Sequence, residues 1–518
     1  MDDRFLPKIG KDVIESLTLG MYDDPRFIYR EYIQNSADQI DKAIEIGLLS
    51  KNEGSIHISI SAENSKIEIE DDATGIPAAE VENILLNIAQ SIKTRGVNKG
   101  FRGIGRLGGL AYCEKLIFET SYMSEKQKTR VLWDSKLLKK ILNNRSQKEE
   151  ATSVIKSVAS IEVEEADSSS HFFKVILEGV SNTLLLDLKE VKKYLSLVAP
   201  IPFPTKFYFK SKISEDLKKF GINLDEYKIF LNTELLFKDY TTYIYKGDEE
   251  VRKKEDEIVD IEFIYEKASD GELLYWGWYS ISKKLQSLNQ INNGRGLRLR
   301  KSNIQIGDEY TLQKFHRDKR FQFYFVGEIH ALHPELIPNS RRDYFTENDY
   351  CKEFEKKIKL FFHSTIYKLC YSASEINSSV KKIEEFTNFQ NDFQQKNIDG
   401  FTSFDEHDEY RLALETKHNE AVKAQKKLEK IKRESHEMAL TPIKKVIDGV
   451  APVIAQYSIP ENLKIIDHQS KPKLRTTKLS ALSREQQKFL GRIFGIIKKV
   501  LDKSTAENLI LKIEEELK

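Results

Sequence analysis

The chain has 518 residues, with 82 Lys and Arg against 81 Asp and Glu, a net charge of +1 and 31% charged residues. That length gives about three domains and ample material for large cores, while the balanced charge supports solubility and identifies no partner. Three cysteines, Cys113, Cys351 and Cys370, are too few and too scattered for a disulfide framework or a zinc site, and read as small core residues. The opening Met-Asp-Asp-Arg-Phe-Leu-Pro-Lys lacks a basic-then-apolar leader, and no run approaches about 18 apolar residues, so the expectation is a cytoplasmic chain with no membrane partner.

Residues 30–42, Arg-Glu-Tyr-Ile-Gln-Asn-Ser-Ala-Asp-Gln-Ile-Asp-Lys, read as a helix. Glu31, Asn35 and Asp38 then share one face, while Tyr32, Ile33, Ala37 and Ile40 supply the apolar positions that hold the helix against a sheet. A carboxylate one turn before a carboxamide is a workable hydrolytic pair. The Asn35 amide oxygen suits Mg²⁺, and Glu31 can polarise a water that attacks a phosphate. Polar residues at this spacing are also the ordinary pattern of a solvated face, so the pair gains meaning only beside phosphate-binding loops later in the chain. Alternation in Ile67-Glu-Ile-Glu predicts a half-buried strand, with Asp71-Asp-Ala-Thr-Gly75 as the turn at its end. A carboxylate there, beside a glycine, can accept a hydrogen bond from the exocyclic amine of adenine, although an acidic turn is the plainer reading. Residues 99–109 then place five glycines in ten positions, Gly100, Gly103, Gly105, Gly108 and Gly109. They leave backbone N–H groups free to line an anion site, and Leu110 and Ala111 suit the opening of a helix with its positive end on the phosphates.

Taken in order, these motifs resemble the gyrase, heat-shock chaperone, histidine kinase and MutL (GHKL) superfamily of ATP-binding domains. Glu31 and Asn35 match its Glu-x-x-x-Asn helix, Asp71 and Gly75 its Asp-x-Gly-x-Gly turn, and Gly100, Gly103 and Gly105 its glycine-rich lid. The resemblance implies ATP and Mg²⁺ as cofactors, Glu31 as general base, Asn35 as metal ligand and Asp71 as adenine anchor. Asp38, Ser91, Lys93, Arg102 and Ile104 join the implied nucleotide contacts, Ser91 and Lys93 from a stretch resembling the chaperone branch's Ile-Ala-x-Ser segment. Two positions depart from the pattern. Ala73 replaces the first glycine of the second motif, so that turn must keep to backbone angles an alanine tolerates. No Gly-Thr pair precedes the strand at 172–177, which leaves the family's adenine-side threonine unplaced.

The implied fold class is α+β. A GHKL-type α/β sandwich is expected over 1–200, ending at the proline-rich Pro200-Ile-Pro-Phe-Pro204. An α/β transducer-like domain is expected over 201–370, with strand patterns at 261–265 and 322–326. Residues 371–518 read as helical, with one long polar helix at 408–436. Asn292 through Gly307 reads as turn, basic-faced strand and turn, and Ile337-Pro-Asn-Ser-Arg-Arg-Asp resembles the chaperone loop that gives an arginine to the γ-phosphate. Spacing from Asn339 favours Arg342 over Arg341 for that role; a surface salt bridge of the arginine to Asp343 is the competing reading. His330 and His333 read as structural, and Asp405-Glu-His407-Asp-Glu as a solvated acidic turn.

The resemblance implies two function classes. One is a Mg²⁺-dependent ATPase, turning ATP and water into ADP and phosphate, that works as an ATP-gated, chaperone-like homodimeric clamp on protein clients. The other is a clamp on nucleic acid of the MutL or Microrchidia type, serving DNA repair or defence. Residues 461–500 hold ten Lys and Arg against three Asp and Glu, which suits a polyanion, although the lack of aromatic stacking residues among the charges favours a basic face on a dimerising helical region. The apolar stripe Phe489, Leu490, Ile493, Phe494, Ile496, Ile497, Val500 and Leu501 is the expected dimer contact, with Leu509, Ile510, Ile513 and Leu517 as a second wall.

Overall fold

A computed structural model describes residues 9–18, 24–88, 105–144, 146, 149–248, 250–437, 441–455, 459–460, 472–475, 479 and 482–517. The chain divides into two compact units, Met1–Ser280 with Ser287–Tyr367, and Ile281–Gln286 with Lys368–Lys518. The first contains two β-sheets with flanking helices and the second is largely helical, an α+β protein.

The first sheet holds β1 (Ser55–Ser61), β2 (Lys66–Asp71), β3 (Lys115–Ser121), β4 (Gln127–Asp134), β5 (Ala159–Glu165), β6 (Phe172–Glu178), β7 (Lys228–Leu231) and β8 (Glu234–Leu235). Their order is β5-β4-β3-β6-β2-β1-β7-β8, antiparallel throughout except for β1 beside β7. Helices α1 (Asp12–Thr18) and α2 (Phe27–Glu45) precede it in sequence. The apolar positions of α2, among them Ile28, Tyr32, Ile33, Ala37 and Ile40, join Ile56, Ile58, Ile67 and Ile69 of the sheet in one core. Each isoleucine among them contributes about 1.5–3 kcal/mol on full burial. The helix stops where Gly47 turns left-handed at φ +76° and the Leu48 N–H reaches back to the Ala43 carbonyl.

The expected proline-rich boundary is not where this sheet ends. Pro200 and Pro202 lie in an extended strap whose carbonyls accept from the N–H groups of Tyr227 and Lys238. The chain then returns to pair Ile56 with Ile229. The second sheet comprises β9 (Tyr243–Lys246), β10 (Lys253–Lys267), β11 (Leu273–Ser282), β12 (Gly296–Lys301), β13 (Ile304–Gln305) and β14 (Val326–Ala331), in the order β13-β12-β14-β11-β10-β9. The strand pattern at 322–326 fails. Asp318 accepts from the Arg320 N–H and starts a 3₁₀ turn over Lys319–Phe323, and pairing begins only at Val326.

A buried charge network crosses this second sheet. Glu328 on β14 takes Arg300 of β12 at 2.5 Å and Lys238 at 2.9 Å, all three with inaccessible side chains. Tyr240 donates to the same carboxylate, and Arg300 also donates to the Leu197 carbonyl. Burial alone would push the Glu328 carboxyl up, but Arg300 and Lys238 outweigh it and hold it well below the usual range. Burial also drives His330, which contacts Glu328 at 3.0 Å, down to about 4. Glu328→Gln leaves two buried cations without their counter-charge. It is expected to cost about 3–5 kcal/mol of stability, read as a lowered urea midpoint.

In the second unit, α3 (Tyr367–Asp399) and α4 (Phe404–Glu437) form an antiparallel hairpin about Gly400 at φ +98°. Ion pairs Glu385–Lys417, Lys382–Glu420 and Glu375–Lys427 match its register. Its core is rich in phenylalanine, with Phe386, Phe393 and Phe401 packing with Leu414 and Ala421. The segment around His407 is not a solvated turn. It opens α4, with His407 edge-on to Phe401 and Glu406 held by Lys396 and Lys498. Helices α5 (Thr441–Ala455), α6 (Arg484–Val500) and α7 (Lys503–Glu516) complete the unit. No helix among the described residues is long and apolar enough to cross a membrane.

Candidate nucleotide-binding site

Helix α2 carries the three polar residues predicted to share a face, and that face is not solvated: Glu31 is 7% exposed and Asp38 6%. Asn35 lies between them, half-buried. At the end of β2, Asp71 sits in register between Ile56 of β1 and Phe173 of β6 and is fully buried. Its Oδ1 accepts from the Ala73 N–H at 3.2 Å, and Ser36 of α2 hydrogen-bonds to the carboxyl. Oδ2 is buried with no hydrogen-bond partner among the described residues. An open acceptor in such a place is costly unless a donor arrives, and the exocyclic amine of adenine is a donor of the required kind.

The turn after β2 is built for a close approach. Gly75 has φ +67°, and a Cβ there would fall 2.0 Å from the Ser121 carbonyl oxygen. Ala73 stays out of the left-handed region, which explains how it replaces a glycine. Phe173 stands opposite Asp71 across the sheet, and Ser36 reaches the carboxyl from the helix side. The Ser36 contact was not read from the sequence; its only signal was a hydroxyl one residue after Asn35 on the helix that faces β2.

Burial pushes the Asp71 carboxyl up to about 7, outweighing the hydrogen bonds from Ser36 and Ala73. Between the ordinary carboxylate range and about 7, the folded chain therefore keeps a proton that the unfolded chain has released. The stability this group contributes is complete below that range and is lost as pH rises to about 7. Without nucleotide, the parent is expected to lose stability over about pH 4–7 relative to Asp71→Asn, whose side chain does not titrate. Urea midpoints of the two proteins measured across that range check it; parallel curves would show that Asp71 ionises normally.

At the other end of the site the glycine segment meets the general-base candidate. A Cβ on Gly105 would lie 2.2 Å from Glu31 Oε2, so the backbone rests directly against the carboxylate. Tyr32 pins the next few residues: its hydroxyl donates to the Arg106 carbonyl and accepts from the Gly109 N–H, both at 3.1 Å. The expected helix after the glycines is only a seven-residue 3₁₀ turn, Gly105–Ala111, because the chain must enter β3 at Lys115. Ser91, Lys93, Gly100, Arg102, Gly103 and Ile104 lie outside the described residues.

Arg342 comes to this place from far along the chain. Its Nε lies 2.8 Å from Glu31 Oε1, with both side chains 9% exposed. The competing partner, Asp343, instead accepts from Asn339. Arg342 occupies φ +55° in a tight turn closed by the Pro338–Phe345 bridge. A left-handed conformation costs a non-glycine residue about 1–2 kcal/mol, so this backbone is held there by its surroundings. Arg341 is exposed, and its carbonyl accepts from Arg30. His330 and His333 are each committed to a carboxylate, Glu328 and Asp270 respectively.

Comparison with known proteins agrees with this geometry over the first third of the chain. Residues 26–169 match the family model described as "Histidine kinase-, DNA gyrase B-, and HSP90-like ATPase". The chain thus carries a GHKL-superfamily ATPase domain, and the matched stretch contains Glu31, Asn35, Asp71, Gly75 and Gly105. It is also similar to the chaperone protein HtpG of Buchnera aphidicola subsp. Baizongia pistaciae (strain Bp), 28% identical over 143 residues, which cover 24% of this chain and 23% of that relative. The match spans less than a quarter of the relative's length.

Proposed function

We propose that the protein is a Mg²⁺-dependent ATPase, releasing ADP and phosphate, and that it acts as an ATP-gated homodimeric clamp on protein clients. The observation that carries the reading is the ion pair between Glu31 and Arg342, which brings a cation from the second sheet's connections onto the buried carboxylate that faces the glycine segment. Asp71 receives the adenine amine and Glu31 takes the proton of the attacking water. Asn35 would hold Mg²⁺, whose part when bound is to neutralise charge on the phosphate oxygens. A phosphate oxygen and the Glu31 carboxylate compete for the Arg342 guanidinium. Arrival of ATP therefore turns an idle ion pair into a base and a phosphate-reading cation.

The clamp rests on α6. Phe494 is fully buried within the unit, but Phe489, Ile496 and Val500 are 65%, 60% and 75% exposed, an apolar face that a second copy would cover. Of the second wall, Ile510 is buried, which fits packing inside one chain. The full-length protein is expected to scatter light as a dimer, and Phe489→Glu with Ile496→Glu as a monomer. A monomeric parent, with and without a non-hydrolysed ATP analogue, would leave a monomeric nucleotide switch. The nucleic-acid clamp is the weaker reading. Two of the basic residues it needs are spent internally, Lys473 on the Ile398 carbonyl and Lys498 on Glu406.

A further inference from the structure

Arg30, the neighbour of Glu31 on α2, is 1% exposed, and no carboxylate among the described residues pairs with it to explain that burial. Its Nη2 donates to the Arg341 carbonyl at 3.1 Å, whereas Nε and Nη1 have no hydrogen-bond partner among the described residues. The guanidinium lies over the Phe27 ring, 4.2 Å from its centroid and one turn earlier on the helix, which fixes its direction. A buried guanidinium with most of its donors unfilled weakens a fold, and an apolar side chain of similar volume serves stability as well or better. The placement therefore calls for a reason other than folding.

The peptide that Arg30 grips supplies that reason. Consecutive carbonyls of the 338–345 turn are claimed from two sides, Arg341 by Arg30 of α2 and Arg342 by the Gly307 N–H at 2.8 Å. Between those grips the backbone is forced to φ +55°, which directs the Arg342 side chain at Glu31. The Arg342–Glu31 pair must break when Arg342 turns to a phosphate. The Arg30 link can persist, because it holds backbone.

We propose that Arg30 is a positioning residue: it straps the Arg341–Arg342 turn to the catalytic helix, so that Arg342 stays in reach when it leaves Glu31. The catalytic part of this inference rests on the ATPase reading above; the strap itself does not.

Arg30→Met tests both. Hydrogen exchange of the 338–345 amides, measured on full-length protein without nucleotide, is expected to speed up, while the thermal midpoint stays at or above that of the parent. Turnover should fall on the order of 10- to 100-fold with KM little changed, because binding contacts remain and only alignment is lost. Arg30→Lys keeps one donor toward Arg341 and should recover part of the exchange protection. Unchanged exchange in Arg30→Met would overturn the strap. A midpoint that falls in step with turnover would also overturn it, by making Arg30 an ordinary structural residue. If the parent hydrolyses no ATP but the exchange change appears, the ATPase reading fails and the strap stands.

Discussion

Asp71→Asn is expected to remove ATP binding, weakening it on the order of 100-fold or more. The parent carboxyl satisfies Ser36 and the Ala73 N–H and keeps Oδ2 for an incoming donor. An asparagine has a single acceptor oxygen to divide among them. If its oxygen serves Ala73, its NH₂ group faces the adenine amine, donor against donor; if it turns round, the Ala73 N–H is orphaned. Either arrangement leaves a buried polar group unpaired, and such sites reject a mismatched partner by far more than one hydrogen bond's net worth. Calorimetric titration of ATP into the two proteins decides it. Equal affinity would sink the assignment of this pocket.

Glu31→Ala should separate binding from chemistry. The adenine end is untouched, so ATP remains bound, while loss of a general base cuts turnover by roughly 10²–10⁴-fold. The substitution also leaves Arg342 buried without its ion-pair partner, which costs stability. Glu31→Gln is the better-behaved companion, since it keeps the shape and a hydrogen-bond acceptor but cannot take a proton. Arg342→Ala is expected to lower turnover as well, by losing the phosphate-reading cation while Glu31 stays intact. Filter binding and phosphate release on the same samples separate the effects. Parent-like hydrolysis in both Glu31 variants would reduce Glu31 to a structural helix residue.

The range of each interaction decides how far the sequence reveals it. Helix α2 and strand β2 were legible because spacing within a dozen residues encodes them. That Glu31 is buried was not, because its cover comes from Gly105 and Arg342, which helical spacing cannot see. The Arg342 position came from a resemblance in one loop, and its contact with Glu31 spans most of the first unit. Strand β7 escaped notice for a different reason: four residues offer almost no period, and prolines ahead of them mimic a boundary. Every position of β14 is buried, Glu328 included, since Arg300 and Lys238 neutralise the glutamate inside the sheet, and both partners lie too far along the chain for local pattern to reveal them. The 322–326 aromatics show the converse. Their strand-like composition yields to a turn set by Asp318, a local capping bond that outweighs propensity.

The most direct test of the nucleotide site is release of phosphate from radiolabelled ATP by the purified full-length protein, with Mg²⁺ and then with the metal removed by EDTA. Slow hydrolysis that needs Mg²⁺, and that disappears in Asp71→Asn, is the expected result. Phosphate release no greater than in buffer alone, or equal release by the parent and Asp71→Asn, would contradict it.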